Sequence, residues 1–231
     1  MAVIGGGGHA EYAVVNERLA MPVPERVSWE QAGGFSEAYS TAHDALFTQC
    51  GLTVGERVCI HGGAGGVGMA AIQLGLAAGA DVTATVRRSE HRPAVAALGA
   101  RVVPPEETVA AGPFDVILEL IGGPNLPADL DALAPGGRIS VIGIGAGAQA
   151  EVNLRTLMSK RGRIHGSTLR ARSIEERALV ARRVEAHVIP LLDAGAIRVP
   201  ISGTYALGEA AAAYADFAAG GKLGKLVLCP A

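Results

Sequence analysis

The segment CIHGGAGGVGMAAIQLGLAAGA, residues 59–80, joins two apolar stretches through a turn that carries five glycines in seven residues. The sequence predicts a strand before the turn, over 57–61, and a helix after it, over 67–78, with Gly79 placed to end the helix. Gly63, Gly65 and Gly68 match the pattern G-x-G-x-x-G. Such glycines permit a tight turn, a close approach of backbone to a pyrophosphate, and close packing of helix on strand. The segment therefore predicts a dinucleotide-binding turn, with a ligand-free tight turn as the alternative.

The same alternation of short apolar runs and Ala-rich helices continues on both sides of the turn. The predicted strands are 57–61, 81–86, 101–103, 115–120 and 138–143, and the predicted helices are 67–78 and 91–98. This rhythm is typical of a parallel sheet covered by helices. Residues 41–167 are therefore predicted to form one doubly wound α/β unit.

The two ends of the chain differ from this central unit. Residues 1–40 hold a glycine run, an alternating AEYAVV segment and two prolines, which predict irregular structure with short strands. After Arg172 the sequence predicts a charged helix to about His187, a strand over 201–205, a helix over 207–219 and a last strand over 225–228.

The overall composition limits the function classes. The 231 residues are 49% hydrophobic and carry a formal charge of −2, which lacks the basic excess of a nucleic-acid-binding surface. Three widely spaced cysteines indicate reduced thiols, and the apolar runs are too short and too interrupted for a membrane span. These features predict a cytoplasmic globular protein whose main partner is neither nucleic acid nor membrane.

The residues at the end of the second predicted strand bear on the choice of dinucleotide. An acidic residue at this position binds the ribose hydroxyls of NAD. Here Asp81 stands at the wrong end of the strand, whereas Arg87, Arg88 and Ser89 stand at its carboxyl end. Two guanidiniums suit a 2′-phosphate, so the sequence favours NADPH; a solvated charged start of the next helix is the alternative.

Several ordered segments give the chain a resemblance to a known family. They are AEYAVV, PVPERVSWEQA, EAYSTAHDAL, HGGAGGVGMAAIQL, LGA, DVILELIGG, LAPGGRISVIG and GKLVL. In this order they resemble the zinc-independent quinone oxidoreductase branch of the medium-chain dehydrogenase/reductase superfamily. KRGRIHGSTLRARS, residues 160–173, is most similar to the p53-inducible quinone oxidoreductase subgroup.

The resemblance implies a Rossmann NADP(H)-binding domain over 41–167. It also implies a GroES-like catalytic domain made from both chain ends, with an incomplete first part over 1–40 and a return to that domain over 168–231. The family's opening barrel strands have no counterpart before Met1, so the expectation is either a fragment or a natural short form. The family also places a tyrosine a few residues after its LGA, where this sequence reads RVVPPEE.

The resemblance further implies which residues contact the cofactor. With the glycine motif they are Thr41, Gly63, Ala64, Gly65, Gly66, Val67, Gly68, Arg87, Arg88, Ser89, His91, Gly143, Ile144, Gly145 and Lys225. His91 falls where many members have a lysine. Thr41 could instead be a helix N-cap, Gly143 and Gly145 turn glycines, and Lys225 an edge-strand charge.

The chemistry that the resemblance implies is hydride transfer from NADPH to a quinone or a similar conjugated carbonyl compound. The sequence holds no nucleophile triad, and its only local zinc-like pair, His9 with Glu11, is better explained as a polar loop, so no metal is predicted. No catalytic side chain is assigned. Tyr12, Phe35 and Tyr39 are candidates for a substrate wall, with burial in the core as the alternative.

Two other functions remain open at this point, an enoyl-thioester reductase and a truncated, non-catalytic NADPH-binding protein. The sequence also predicts a homodimer, because the strand RISVIG with the following GIGAGAQAEVNL would form a weakly charged sheet edge. The alternative is that residues 151–156 fold back over that edge within one chain.

Overall fold

A computed structural model describes residues 1–230 as a six-stranded sheet flanked by helices, beside a two-stranded sheet. In chain order the elements are α1 (Trp29–His43), β1 (Arg57–Ile60), α2 (Gly66–Ala77), β2 (Asp81–Thr85), α3 (Arg92–Ala96), β3 (Arg101–Val103), α4 (Thr108–Ala111), β4 (Phe114–Glu119), α5 (Leu126–Ala132), β5 (Leu133–Val141), α6 (Leu154–Lys160), β6 (Arg163–Gly166), α7 (Ile174–His187), α8 (Ile189–Asp193), β7 (Ile201–Ala206), α9 (Ala210–Ala219) and β8 (Lys225–Cys229).

The large sheet is parallel throughout and has the strand order β3-β2-β1-β4-β5-β6. The order reverses between β1 and β4, which confirms the predicted doubly wound α/β fold. The central strands β1 and β4 are apolar on both faces because helices cover both sides. Carboxyl ends of adjacent strands at such a reversal form a crevice that binds ligands.

The region before the sheet differs from its prediction. Residues 29–43 form α1 rather than irregular structure, and the AEYAVV segment forms no strand. Ser28 and Gln31 make a reciprocal capping box that starts this helix. The Gly33–Gly34 pair obscures the helical pattern, but Gly34 packs closely against the small sheet, since a Cβ there would lie 2.9 Å from Ile201 Cδ1. Tyr12 and Val14 are almost fully exposed, so within residues 1–230 the alternating AEYAVV segment does not pack against a sheet.

The edge of the large sheet also differs from its prediction. The strand over 138–143 is not an edge, because β6 pairs with β5 along Arg138–Val141. Neither α6 nor β6 was predicted. The chain turns back through Arg161, whose φ is +47°, and Gly162, where a Cβ would meet Leu133 Cδ2 at 2.8 Å. The segment that covers the predicted edge is therefore 163–166, not 151–156.

The last part of the chain returns to the sheet at the glycine turn. β7 and β8 form the small sheet, and the Gly224 amide donates a hydrogen bond of 3.0 Å to the Ala64 carbonyl. The helix α7 begins at the Ser173 cap and matches its predicted span. Among residues 1–230, none of the helices has both the length and the apolar character that a bilayer crossing requires.

Candidate cofactor-binding groove

The glycine turn between β1 and α2 has the shape that the sequence predicted. Gly62 has a φ of +66°, and its carbonyl accepts the Gly65 amide at 3.0 Å. A Cβ on Gly68 would lie 2.3 Å from the Gly62 carbonyl oxygen, and one on Gly63 would lie 2.9 Å from Ala84 Cβ. The turn is therefore closed to larger side chains, and the first amides of α2 face the space above it, as in an anion-binding helix terminus.

A groove of about 800 Å³ lies along the carboxyl ends of β1, β2, β4 and β5. Eleven of the predicted cofactor residues line it: Thr41, Ala64, Gly65, Gly66, Val67, Gly68, Arg87, Arg88, His91, Gly143 and Gly145. The groove lies at the reversal of strand order, has the dimensions of a ligand site, and brings the turn and both arginines to one face. These residues fit a dinucleotide.

The other four predicted residues lie outside the groove lining. Gly63 lies behind the turn against Ala84 and Ile72. Ser89 begins a short 3-10 turn, Ile144 is 59% exposed beside the groove, and Lys225 lays its aliphatic stem over Gly66. A Cβ on Gly66 would meet Lys225 Cδ at 2.3 Å, so the lysine stem needs this glycine.

The arginine end of the groove is held by a third arginine that the sequence analysis did not single out. Arg92 Nε donates to the Val86 carbonyl at 3.0 Å, and its Nη2 donates to the Arg87 carbonyl at 3.4 Å. Arg92 thus fixes the loop that carries the other two guanidiniums. Arg88 is 44% exposed, lies 3.7 Å from the Glu90 carboxylate, and approaches Gly221 from the C-terminal segment.

A buried polar cluster lies directly beneath the groove. His61 Nε2 is 2.7 Å from Asp129 Oδ1 and 3.8 Å from Glu119 Oε2, and His61 Nδ1 is 3.0 Å from the Thr85 hydroxyl. The side chains of His61, Glu119 and Asp129 are at most 2% exposed. Glu119 also accepts hydrogen bonds from the Gly122 amide at 2.7 Å and from Asn125 Nδ2 at 3.0 Å.

The cluster joins three loops of the groove floor, which begin at His61, Thr85 and Glu119. Thr85 and Asn125 also line the groove. Burial would lower the pKa of His61, but the hydrogen bond with Asp129 and the contact with Cys59 raise it to about 11, so the imidazole is cationic at neutral pH. Burial raises the pKa of Glu119, against the opposing charge of His61. Sequence reasoning missed this cluster.

The same three side chains are the only group of three His, Cys, Asp or Glu residues within residues 1–230 whose ligand atoms lie within 4.8 Å of one another. They do not fit a catalytic zinc, which needs an open coordination position. All three are buried, and the imidazole and carboxylates bond to one another and to the neighbouring backbone and Asn125. His9 and Glu11 are exposed, and His9 packs edge-on against Tyr214.

A smaller cavity of about 270 Å³ adjoins the groove, and both are lined by Glu37, Thr41 and Ile142. Thr41 lies within α1 and donates to Glu37 Oε1 at 3.4 Å, so it is not an N-cap. Deeper in the cavity, Asp44 accepts two hydrogen bonds from Arg172, of 2.9 and 2.6 Å. This ion pair was not predicted, because its members are 128 positions apart.

The aromatic candidates for a substrate wall do not line this cavity. Phe35 and Tyr39 stack in the core at a ring separation of 4.7 Å and are 0% and 1% exposed. The Tyr39 hydroxyl donates to the Arg198 carbonyl and accepts from Gln73 Nε2 at 3.0 Å. Tyr12 is 90% exposed. The core interpretation is therefore right for Phe35 and Tyr39.

A parallel sheet with a glycine turn and a groove at its strand-order reversal is the architecture of a dinucleotide-binding domain. Residues 66–185 match the family model described as zinc-binding dehydrogenase. The chain is 31% identical to human quinone oxidoreductase over 233 residues, which covers 96% of this chain and 69% of that protein. It belongs to the medium-chain dehydrogenase/reductase superfamily and resembles its quinone oxidoreductases.

Solved structures agree with this assignment. A putative alcohol dehydrogenase from Sinorhizobium meliloti superposes with a TM-score of 0.84 at 32% identity, over 97% of this chain and 62% of that chain. A Pseudomonas syringae pv. tomato quinone oxidoreductase gives a TM-score of 0.85 at 26% identity, over 97% and 72%. The chain thus spans less than two thirds of the first of these structures.

Two further similarities are to a synthase and to a carboxylase/reductase. The erythronolide synthase EryA2 of Saccharopolyspora erythraea is 35% identical over 235 residues, which cover 96% of this chain and 6% of that protein. A variant of the crotonyl-CoA carboxylase/reductase AntE, in complex with NADP, gives a TM-score of 0.79 at 26% identity, over 93% of this chain and 60% of that chain.

Proposed function

We propose that this chain binds NADPH in the groove and reduces a quinone or a similar conjugated carbonyl compound placed in the adjoining cavity. One observation carries the proposal. The groove joins the glycine turn to a paired-arginine loop at the end of β2, and it shares Thr41 with a second cavity. The preference for NADPH rests on Arg87 and Arg88, since no carboxylate occupies the carboxyl end of β2.

In this proposal the protein binds and orients, and the nicotinamide supplies the hydride when NADPH is bound. The amides at the start of α2 would bind the pyrophosphate, and the Arg87 and Arg88 guanidiniums the 2′-phosphate. Gly143 would hold the backbone after β5 close to the ribose, and Gly145 would lie along the same part of the groove. Thr41 would lie at the junction with the substrate cavity. A quinone needs little acid catalysis from protein, because the anion formed on hydride transfer is delocalised.

The test is the oxidation of NADPH, followed by absorbance, with 9,10-phenanthrenequinone or 1,2-naphthoquinone as acceptor. A rate proportional to protein concentration is expected. Tight NADPH binding without turnover on any acceptor would refute the reductase and leave the binding-only alternative. Equal or weaker binding of NADPH than of NADH would refute the assigned role of the arginines.

A second candidate function is the reduction of an enoyl thioester. It is favoured by the similarity to AntE, whose name denotes a crotonyl-CoA carboxylase/reductase, alongside the similarity to the erythronolide synthase EryA2. Parallel assays with crotonyl-CoA and with the quinones distinguish the two activities. The higher kcat/KM identifies the substrate class.

We also propose that two copies associate through the exposed edge of β6 rather than through 138–143. β6 is the outermost strand on its side of the large sheet, and an unpaired strand edge can pair with a second copy.

A further inference from the structure

The cavity beside Thr41 is lined by two arginines and two carboxylates, and one of the carboxylates is paired with a further arginine. Its lining includes Arg170 and Arg177 with Glu37 and Asp44, and Arg172 reaches Asp44 from its edge. The Asp44 carboxylate is occupied, since both of its oxygens accept from Arg172. Glu37 lies where the cavity meets the groove and accepts from Thr41. The remaining two arginines therefore determine the charge of the rest of the cavity.

Arg177 is the more informative of the two arginines. Its Nε is buried and has no hydrogen-bond partner within residues 1–230, and no carboxylate of those residues lies within 4.0 Å of its guanidinium. Its neighbours on the core side are apolar, among them Leu169 and Val180. Because Nε itself is enclosed by protein, an anion in the cavity would bind the guanidinium through its Nη groups, which also donate no hydrogen bond within residues 1–230.

Arg170 provides the second positive group at the exposed rim of the same cavity. Like Arg177, it has no carboxylate within 4.0 Å in the part of the chain that the structure describes. Thr168 adds a hydroxyl group to the lining, whereas the Ser167 hydroxyl accepts a hydrogen bond from Arg172 at 2.6 Å. Guanidiniums with nearby hydroxyls are the groups that recognise carboxylate, sulfonate or phosphate oxygens.

We propose that this cavity binds an anionic group of the substrate through Arg177, with Arg170 at its rim. The inference rests on the proposed function and narrows its substrate class to conjugated carbonyl compounds that carry a carboxylate or a similar anion. Glu37 opposes an anion at the groove side. The anionic group therefore binds at the arginine side, and the carbonyl group is directed towards Thr41 and the groove.

The experiment measures binding of two non-reducible probes by isothermal titration calorimetry, with 2-naphthoate and its neutral analogue 2-naphthamide. We expect the wild-type protein to bind the carboxylate at least about tenfold more tightly than the amide, because only the carboxylate can accept charge-assisted hydrogen bonds from the guanidinium. Arg177→Met keeps the apolar stem and should abolish this preference while changing 2-naphthamide affinity less than about twofold. Arg155→Met, an exposed arginine on α6, should leave the preference intact.

Equal wild-type affinities for the two probes would overturn the proposal, and so would a preference that survives in Arg177→Met. If thermal denaturation shows that Arg177→Met is unfolded, Arg170→Gln replaces it, and an unchanged preference there also overturns the proposal. Turnover of 9,10-phenanthrenequinone is measured separately. Lack of turnover with a retained, Arg177-dependent preference would refute the reductase activity but not the anion site.

Discussion

Replacement of Asp129 by Asn removes one charge from the buried cluster beneath the groove while conserving side-chain volume. Asp129 Oδ1 is 2.7 Å from His61 Nε2, and its side chain is 0% exposed. Loss of one partner leaves the other buried charge poorly compensated, which costs about 3–5 kcal/mol in comparable buried pairs. We therefore expect the free energy of unfolding at pH 7 to fall by about 3 kcal/mol or more.

The expected pH dependence follows from His61. Its pKa of about 11 in the folded protein lies above the ordinary value of 6.5. The contribution of protonated His61 to the stability of the fold is therefore complete below pH 6.5 and is lost as the pH rises through about 11. The difference in the free energy of unfolding between wild type and Asp129→Asn should consequently be larger at pH 7 than at pH 9.5. Urea denaturation followed by circular dichroism at both pH values measures it.

Asp131→Asn is the matched control, since Asp131 lies on the same helix with an exposed side chain. It should change the free energy of unfolding by no more than about 0.5 kcal/mol. If Asp129→Asn lowers the free energy of unfolding by less than about 1 kcal/mol, or by an amount that does not shrink at high pH, His61 is neutral in the folded protein.

Three further outcomes concern the cofactor and assembly. In fluorescence titrations Arg88→Asp should weaken NADPH binding about tenfold or more and leave NADH binding nearly unchanged, with the exposed Arg101→Asp as control. Equal effects on both cofactors would contradict a contact of Arg88 with the 2′-phosphate. Gly143→Ala should weaken the binding of both cofactors, because its Cβ would lie 2.1 Å from the Leu120 carbonyl oxygen, whereas the Cβ of Gly145→Ala would meet no atom within 4 Å and should have little effect. Similar cofactor affinities in the two variants would show that close packing at Gly143 does not matter for binding. Light scattering should give about twice the 23.4 kDa of one chain, and a single-chain mass that persists on concentration would refute the β6 dimer.

The sequence predicted those parts of the molecule whose signals are local. The turn after β1, the end of β2 and the start of α7 each depend on residues within a few positions of one another. The groove could thus be predicted as far as the turn and the arginine pair. The helix α1 carried a local signal, the Ser28–Gln31 capping box, but two consecutive glycines lowered its helical propensity.

The remaining parts depend on residues far apart in sequence. His61 and Asp129 are 68 positions apart, and nothing in the neighbourhood of either residue indicates that they meet. The strand β6 has only four residues, RIHG, without the alternation of an amphipathic strand. Its position beside β5 is set by the left-handed residue at 161 and by the close packing at Gly162. Contacts of this kind follow from tertiary packing rather than from local pattern.

The C-terminal segment changes the interpretation of Lys225. The sequence analysis left open a cofactor contact or an edge-strand charge for Lys225, and in the structure its aliphatic stem covers Gly66 at the start of α2. Lys222, three residues earlier, lines the groove, and its ammonium lies 3.6 Å from the centre of the Phe217 ring. Burial and the charge of Lys225 lower the pKa of Lys222. Lys222 is therefore the lysine that lines the groove, where a bound phosphate would offset the positive charge that it shares with Lys225.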